Sequence, residues 1–321
     1  MTENILNSEK IINAVNLMRK QKVSLEEMDI SIDEIEELQK LGFNIILDRK
    51  NMEAVINSSL VNNCNIISTK NEKRKVKIKW VEINDVFIGH KYFAEKDFRY
   101  FLEKAKKENY KYIYIAGNLT AGHPKFGNQG EYLNYNTSAK QAEKVVEILA
   151  DYPCFEYFAV HGIADCSFER YKEINPLYLI QKDLRDMGIN FSYIPDYTAN
   201  FVIEGLVKRV TSIKASRSAY TISYPMDLII RKQFENMLDN VIINANTYKL
   251  AFLQFGNIRS NTFDYKGNTY LTSSSGFLFD SIGVLGKSTT YPSAKLCTAN
   301  IKNARVINFV VKMIEMPYEL R

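Results

Sequence analysis

The side chains best suited to chemistry are sparse in this sequence. Three histidines and four cysteines are spread over 321 residues. Cys154, His161 and Cys166, with six and four residues between them, are spaced loosely like zinc ligands, but no fourth ligand stands near them. They straddle a strand end, and buried free thiols account for them better. His90 and His123 fall in loops near strand ends. With Asp85 they could form one weak metal site, although surface histidines explain the same pattern. Thr272-Ser273-Ser274-Ser275-Gly276 looks like a phosphate-cradling turn in composition only and is assigned no chemistry. No P-loop, Rossmann glycine fingerprint or Ser-His-Asp arrangement is apparent. The densest basic run is Lys70 to Lys79, KNEKRKVKIK, which reads as a solvated linker leading into a strand.

The elements that would position these residues fall into two sets. Residues 8–20 place Ile11, Ile12, Val15, Leu17 and Met18 near one helical face, with Ser8 as a cap. A short second helix is expected over 24–28 and a third from Ser31, with Glu34 three residues on completing a capping box and Gly42 as its stop. Two short strands follow, separated by Asp48, Arg49, Lys50 and Asn51. Three helices and a hairpin within about 50 residues form the winged-helix arrangement, with helix three as recognition helix. Beyond the basic run, strands and helices alternate: strands at 76–85, 110–118, 155–162 and 189–195, with helices between them. From about residue 196 the pattern turns to short β-like runs interrupted by one helix over 226–238. An α/β half followed by a β-rich half implies a two-sheet sandwich with helices outside.

Charge is placed unevenly. The net charge is +5, but residues 1–57 hold 7 basic and 11 acidic residues, and the remainder 35 and 26. The expected recognition helix carries Asp33, Glu34, Glu36 and Glu37 against Lys40, so its polar face repels phosphates. If the first unit touches DNA, Arg19, Lys20 and Lys22 of helix one and Arg49 and Lys50 of the wing are better carriers. In the larger unit, Lys73, Arg74 and Lys75 stand out. No stretch approaches the roughly 20 apolar residues of a membrane span. The polar N-terminus and scattered cysteines suit a reduced, cytoplasmic protein.

The order of segments resembles the calcineurin-like metallophosphoesterases, more closely a phage and prokaryotic subgroup with a winged helix in front. The likeness covers nearly the whole chain. That family places a two-metal site on strand-end loops, in blocks of the type Asp-x-His, Gly-Asp, Gly-Asn-His-Asp, a lone His and Gly-His-x-His. Each block can be located here, and nearly every one is broken. Asn84 to Gly89 matches the first, with Asp85 kept and Phe87 at the histidine position. Ala116-Gly117-Asn118 matches the second, with Asn118 for the bridging Asp. His161 to Asp165 matches the third, with Ile163 and Ala164 replacing Asn and His while Gly162 and Asp165 remain. Lys214 falls at the lone histidine, and Asn246 and Tyr248 replace two more ligands. Gly127-x-Gln129-Gly130-Glu131 and Arg185-Asp186-Met187-Gly188 fit around these losses.

Phe, Ile and Ala cannot ligate a metal, and Asn and Tyr are poor substitutes for carboxylate and imidazole. Lys214 would set a positive charge where a dication belongs. The resemblance therefore implies an α/β/β/α sandwich over 77–321 behind a winged helix over 1–57 and a basic linker over 58–76. It implies no metal or other cofactor, and a pseudoenzyme that binds DNA or scaffolds a DNA-handling or transcription-related protein assembly of a phage or other mobile element. The alternative is a residual phosphodiesterase or phosphatase using one metal at Asp85 with His90, or a rearranged loop.

Overall fold

The computed structural model describes residues 9–18, 23–40, 45–48, 51–56, 64–67, 75–128, 130–212, 249–256, 262–266, 269–274, 276–277 and 292–315. Near the N-terminus, helix α1 (Glu9–Met18), strand β1 (Val23–Ser24), helix α2 (Ile32–Lys40) and strands β2 (Ile45–Asp48) and β3 (Glu53–Ile56) form one motif. Its three strands run in the order β1-β3-β2, all antiparallel. The capping box forms: Glu34 N donates to Ser31 Oγ at 3.2 Å, and Ser31 N donates to the Glu34 carboxylate at 2.8 Å. These bonds and Lys10 hold the Glu34 carboxyl below its ordinary range, against the pull of its partial burial.

The helix expected over 24–28 does not form. Those residues enter a run of turns closed by Asp29 at a φ of 52°, with Ile30 N bonding Leu25 O. A segment this short cannot meet the cost of helix nucleation.

The larger unit is built on two six-stranded mixed sheets. In the first, β5 (Val76–Ile83), β6 (Tyr112–Ala116), β7 (Glu156–Val160) and β8 (Phe191–Ile194) run parallel. Parallel neighbours need crossovers, and α3 (Glu95–Lys107), α4 (Ser138–Ala150) and α6 (Pro176–Asp186) supply them; the short α5 (Ser167–Arg170) precedes α6. Thr137 caps α4, and Asn175 caps α6 ahead of Pro176 at its first position. The antiparallel hairpin of β14 (Ser293–Lys302) and β15 (Arg305–Glu315) extends this sheet beyond β5.

The second sheet has the order β12-β13-β11-β10-β9-β4, from β4 (Cys64–Ile67), β9 (Thr198–Ile203), β10 (Leu206–Thr211), β11 (Lys249–Phe255), β12 (Thr262–Lys266) and β13 (Thr269–Ser273). Residues 64–67 lie within the stretch read as a linker, yet they pair in parallel with β9. The expected helix over 226–238 and the runs near 240–246 lie outside the described residues. So do the Gly42 stop and, with Lys214, Asn246 and Tyr248, the candidates Arg19, Lys20, Lys22, Arg49, Lys50, Lys73 and Arg74. No helix of the described residues is long and apolar enough to cross a membrane.

Alternation along β5 serves both sides of its sheet. Val81 and Ile83 join the core with Phe98, Phe101 and Leu102 of α3 and Val145 and Leu149 of α4. Ile78 and Trp80 join the second core, against Phe201, Val210 and Phe252 of the opposite sheet. The Trp80 and Phe252 ring centroids are 4.9 Å apart, those of Tyr114 and Phe201 4.8 Å.

Inside this inter-sheet layer sits a charge pair. Lys208 Nζ of β10 lies 2.6 Å from Glu82 Oε1 of β5, and their side chains are 0% and 2% exposed. The indole N–H of Trp80 donates to the same oxygen at 2.9 Å, and the ammonium lies 5.2 Å from the Trp80 ring and 4.9 Å from the Tyr114 ring. Burial alone would push the Glu82 carboxyl up, but Lys208 overrides it and holds it below its usual range.

Removing one partner leaves the other buried without compensation, which costs about 3–5 kcal/mol. Lys208→Met alone should lower the unfolding free energy from urea melts by that much, while Glu82→Leu combined with Lys208→Met should regain most of it. Because the folded Glu82 pKa is depressed, the pair's contribution is present above the unfolded carboxyl pKa and is lost as pH falls through the folded value. The wild-type advantage over the double variant should therefore shrink in acid.

Candidate functional site

The carboxyl ends of strands from both sheets meet at one rim, the place where ligands bind in open α/β sheets. Loops after β5 (84–90), β6 (117–123) and β7 (161–166) come from one sheet, and residues following β10, β11 and β13 from the other. They approach at backbone contact. A Cβ on Gly256 would collide with the Ala116 carbonyl oxygen, and one on Gly162 with the Asn118 side chain and backbone N. Ser212 Oγ donates to the His161 carbonyl, and Asn84 Nδ2 donates to Ser274 O at 2.8 Å.

Asp85 and Asn118, placed together by sequence, touch in the structure. Asn118 Nδ2 donates to Asp85 Oδ1 at 2.7 Å, Asn84 Nδ2 approaches Asp85 Oδ2 at 3.3 Å, and Asn118 Oδ1 accepts from Ala164 N at 3.0 Å. The Asn118 amide thus ties the first loop to the third. Asp85 is 1% and Asn118 2% exposed. Asp85, Phe87 and Asn118 all have left-handed backbones, at φ of 54°, 57° and 51°. For a phenylalanine this conformation is strained, and such residues collect at functional sites.

Asp165 performs a second tie. Its Oδ1 accepts from Thr120 N at 2.8 Å and Thr120 Oγ1 at 2.7 Å, and its Oδ2 accepts from Gly162 N at 2.7 Å. Burial pushes its carboxyl up to about 6, against the hydrogen bonds from Gly162, Thr120 and Asn118 that pull it down. Asp165 was legible as a retained family residue, but Thr120, Asn84, Ser212 and Ser274 were missed. Short polar side chains right after strands were their only signal.

The three histidines lie on the same loops, and their rings meet Tyr92, Glu173 and Tyr193. His90 Nδ1 accepts from Tyr92 N, and its ring stacks near Tyr132. His123 Nε2 is 3.2 Å from Glu173 and its ring stacks on Tyr171 at 4.2 Å. His161 Nδ1 is 2.7 Å from Tyr193 Oη. Cys154 is exposed, while Cys166 and Cys297 are buried, all as free thiols. No three His, Cys, Asp or Glu side chains of the described residues gather at metal-binding spacing. Phe87, Ile163 and Ala164 are half-buried, half-buried and buried in this rim, and none offers a donor atom. A two-metal centre does not fit these residues. Lys75 is exposed just before β5, at the far end of that strand from Asp85.

No protein-family model matches the chain, and no curated protein matches it significantly. Solved structures do. A single mutant of Vps29 from Entamoeba histolytica matches at 12% identity over 75% of this chain and 100% of its own, with a TM-score of 0.38. The wild-type Vps29 of that organism, complexed with zinc, matches at 10% identity over 74% and 99%, with a TM-score of 0.39. A Streptococcus pneumoniae protein described as a predicted phosphoesterase matches at 7% identity over 75% and 99%, with a TM-score of 0.32.

The Asp165 shift sets a pH dependence. Its folded pKa is raised, so its contribution to stability is complete below the unfolded value near 3.8 and is lost as pH rises through about 6. In urea melts, wild type should lose stability across that window relative to Asp165→Asn, by an amount on the order of 3 kcal/mol. Parallel curves for the two proteins would count against the shift.

Proposed function

We propose that this chain is a non-catalytic relative of the calcineurin-like metallophosphoesterases, fronted by a winged-helix module, that binds nucleic acid or scaffolds a DNA-handling assembly. The observation that carries the loss of catalysis is the Asn118 side chain. Its amide occupies the ground between Asp85 and the 161–165 loop with both ends hydrogen-bonded, where a bridging carboxylate would be needed to hold two cations. Asp85 is then a structural acceptor rather than a ligand. Among the described residues the rim offers no nucleophile–base pair either, since Ser212 bonds a backbone carbonyl and Ser274 bonds Asn84.

The winged-helix part of the reading draws support from the helix–strand–helix–hairpin order and the β1-β3-β2 sheet. The acidic α2, whose Glu34 is engaged by Ser31 and Lys10, suits protein docking better than a grip on base edges. Partners from a phage or mobile element fit the subgroup that the sequence resembles.

Purified protein incubated with manganese and a chromogenic phosphodiester should show no turnover above the blank. Metal analysis should find less than one equivalent of transition metal. Metal-dependent turnover abolished by Asp85→Ala would overturn this reading in favour of a single-metal hydrolase.

A further inference from the structure

We propose that the end of the sandwich remote from Asp85 is a nucleic-acid-binding surface built on Lys75, Lys77, Lys107, Lys302 and Arg305. The proposal rests on the nucleic-acid half of the function proposed above and moves it away from the strand-end rim. Lys75 and Lys77 stand at the start of β5, about 6.7 Å apart along the strand. Val76 pairs with Ile301, so the next step of that register sets Lys302 beside Lys75; Lys302 in turn pairs directly with Arg305. Cations thus stand on three neighbouring strands, each about 4.8 Å from the next.

Like charges directly opposite in an antiparallel ladder are destabilising, and no ion pair among the described residues relieves them. All five side chains belong to exposed residues, and none pairs with a carboxylate of the described residues. Of the acids at this end, Glu156 pairs with Lys111 at 2.7 Å and Glu108 with Lys312 at 2.9 Å, while Glu204 is half-buried in the turn that packs against Ala304. The last turn of α3 adds Lys104, Lys106 and Lys107. Those three charges outweigh the helix terminus's partial charge of roughly −0.5.

Two tight turns border the surface. Asn303 and Ala304, at φ of 51° and 50°, turn β14 into β15, and Glu204 and Gly205, at 49° and 76°, turn β9 into β10. The two turns press together, so that a Cβ on Gly205 would lie 3.2 Å from the Ala304 Cβ. A fixed row of cations on strands matches a regularly charged phosphate backbone. The turn itself presents only Asn303 and Ala304 between its cations, with no bulky apolar side chain to insert into a bilayer.

Fluorescence anisotropy of full-length protein with labelled duplex and single-stranded DNA, across a salt series, tests this. Binding should fall with salt, by about 0.9 per phosphate contact on the log–log slope for duplex and about 0.7 for single strands, which separates the two ligands. Lys77→Glu, Lys302→Glu and Arg305→Glu combined should weaken binding at least tenfold at about 50 mM salt and flatten the slope by about 2. Lys302→Glu alone should weaken binding while raising the melting temperature, because it faces Arg305 with an opposite charge. Lys182→Ala on α6 should leave binding unchanged. Wild-type binding left intact in the triple variant overturns this surface but leaves nucleic-acid binding elsewhere standing. No wild-type binding at low salt overturns both. Equal affinity for polyglutamate, or retention only on anionic vesicles, overturns the choice of ligand.

Discussion

The larger unit depends on a charge pair closed between two sheets. Apolar layers slide past one another at small cost, whereas Glu82 and Lys208 tolerate one alignment only, with the carboxylate at 2.6 Å from the ammonium and both out of water. That alignment sets the height of β10 against β5, and so which residues emerge beyond the strand ends. Asp85 lies three positions after Glu82, and Ser212 four after Lys208. The pair thereby places the loops of both sheets at one rim. The Gln254 amide reinforces it, donating to Ile83 O and Tyr114 O across the gap.

At the rim, the backbone is held in close contacts. Left-handed residues, glycines without room for a Cβ and loops in backbone contact form a costly arrangement that packing alone does not require. Its polar side chains, the Asp85 and Asp165 carboxylates included, are hydrogen-bonded to neighbouring loops. Hydrogen bonds from Asn118 and Asp165 tie the three loops of the first sheet to one another. A rim so tied resists rearrangement on binding, which is one reason to look for ligand contacts elsewhere on the surface.

Much of this was legible from sequence. The parallel strands and their helices announced themselves through alternating and helical apolar patterns, as did the Ser31–Glu34 box. The juxtaposition of Asp85 with Asn118 followed from block order. What was not legible depended on context. The first half of β14 has no alternation, because it lies between β15 and β5 and its residues 293–297 are buried on both faces, among them Ala294. Residues 64–67 read as linker because pairing with β9, rather than intrinsic pattern, makes them a strand. Lys208 looked like an ordinary cation in a strand, and only the opposite sheet reveals its partner. The like-charged row at Lys75, Lys302 and Arg305 was invisible because Lys75 stands more than 200 residues before the other two in the chain.

Trp80 gives the buried pair an optical consequence. It is the sole tryptophan, fully buried, with its indole N–H on the Glu82 carboxylate, a lysine ammonium over its ring and Phe309 stacked at 5.5 Å. Its emission therefore originates in the dry, charged seam between the sheets and nowhere else. The protein carries a built-in fluorophore whose spectrum registers whether that seam is closed, without any label.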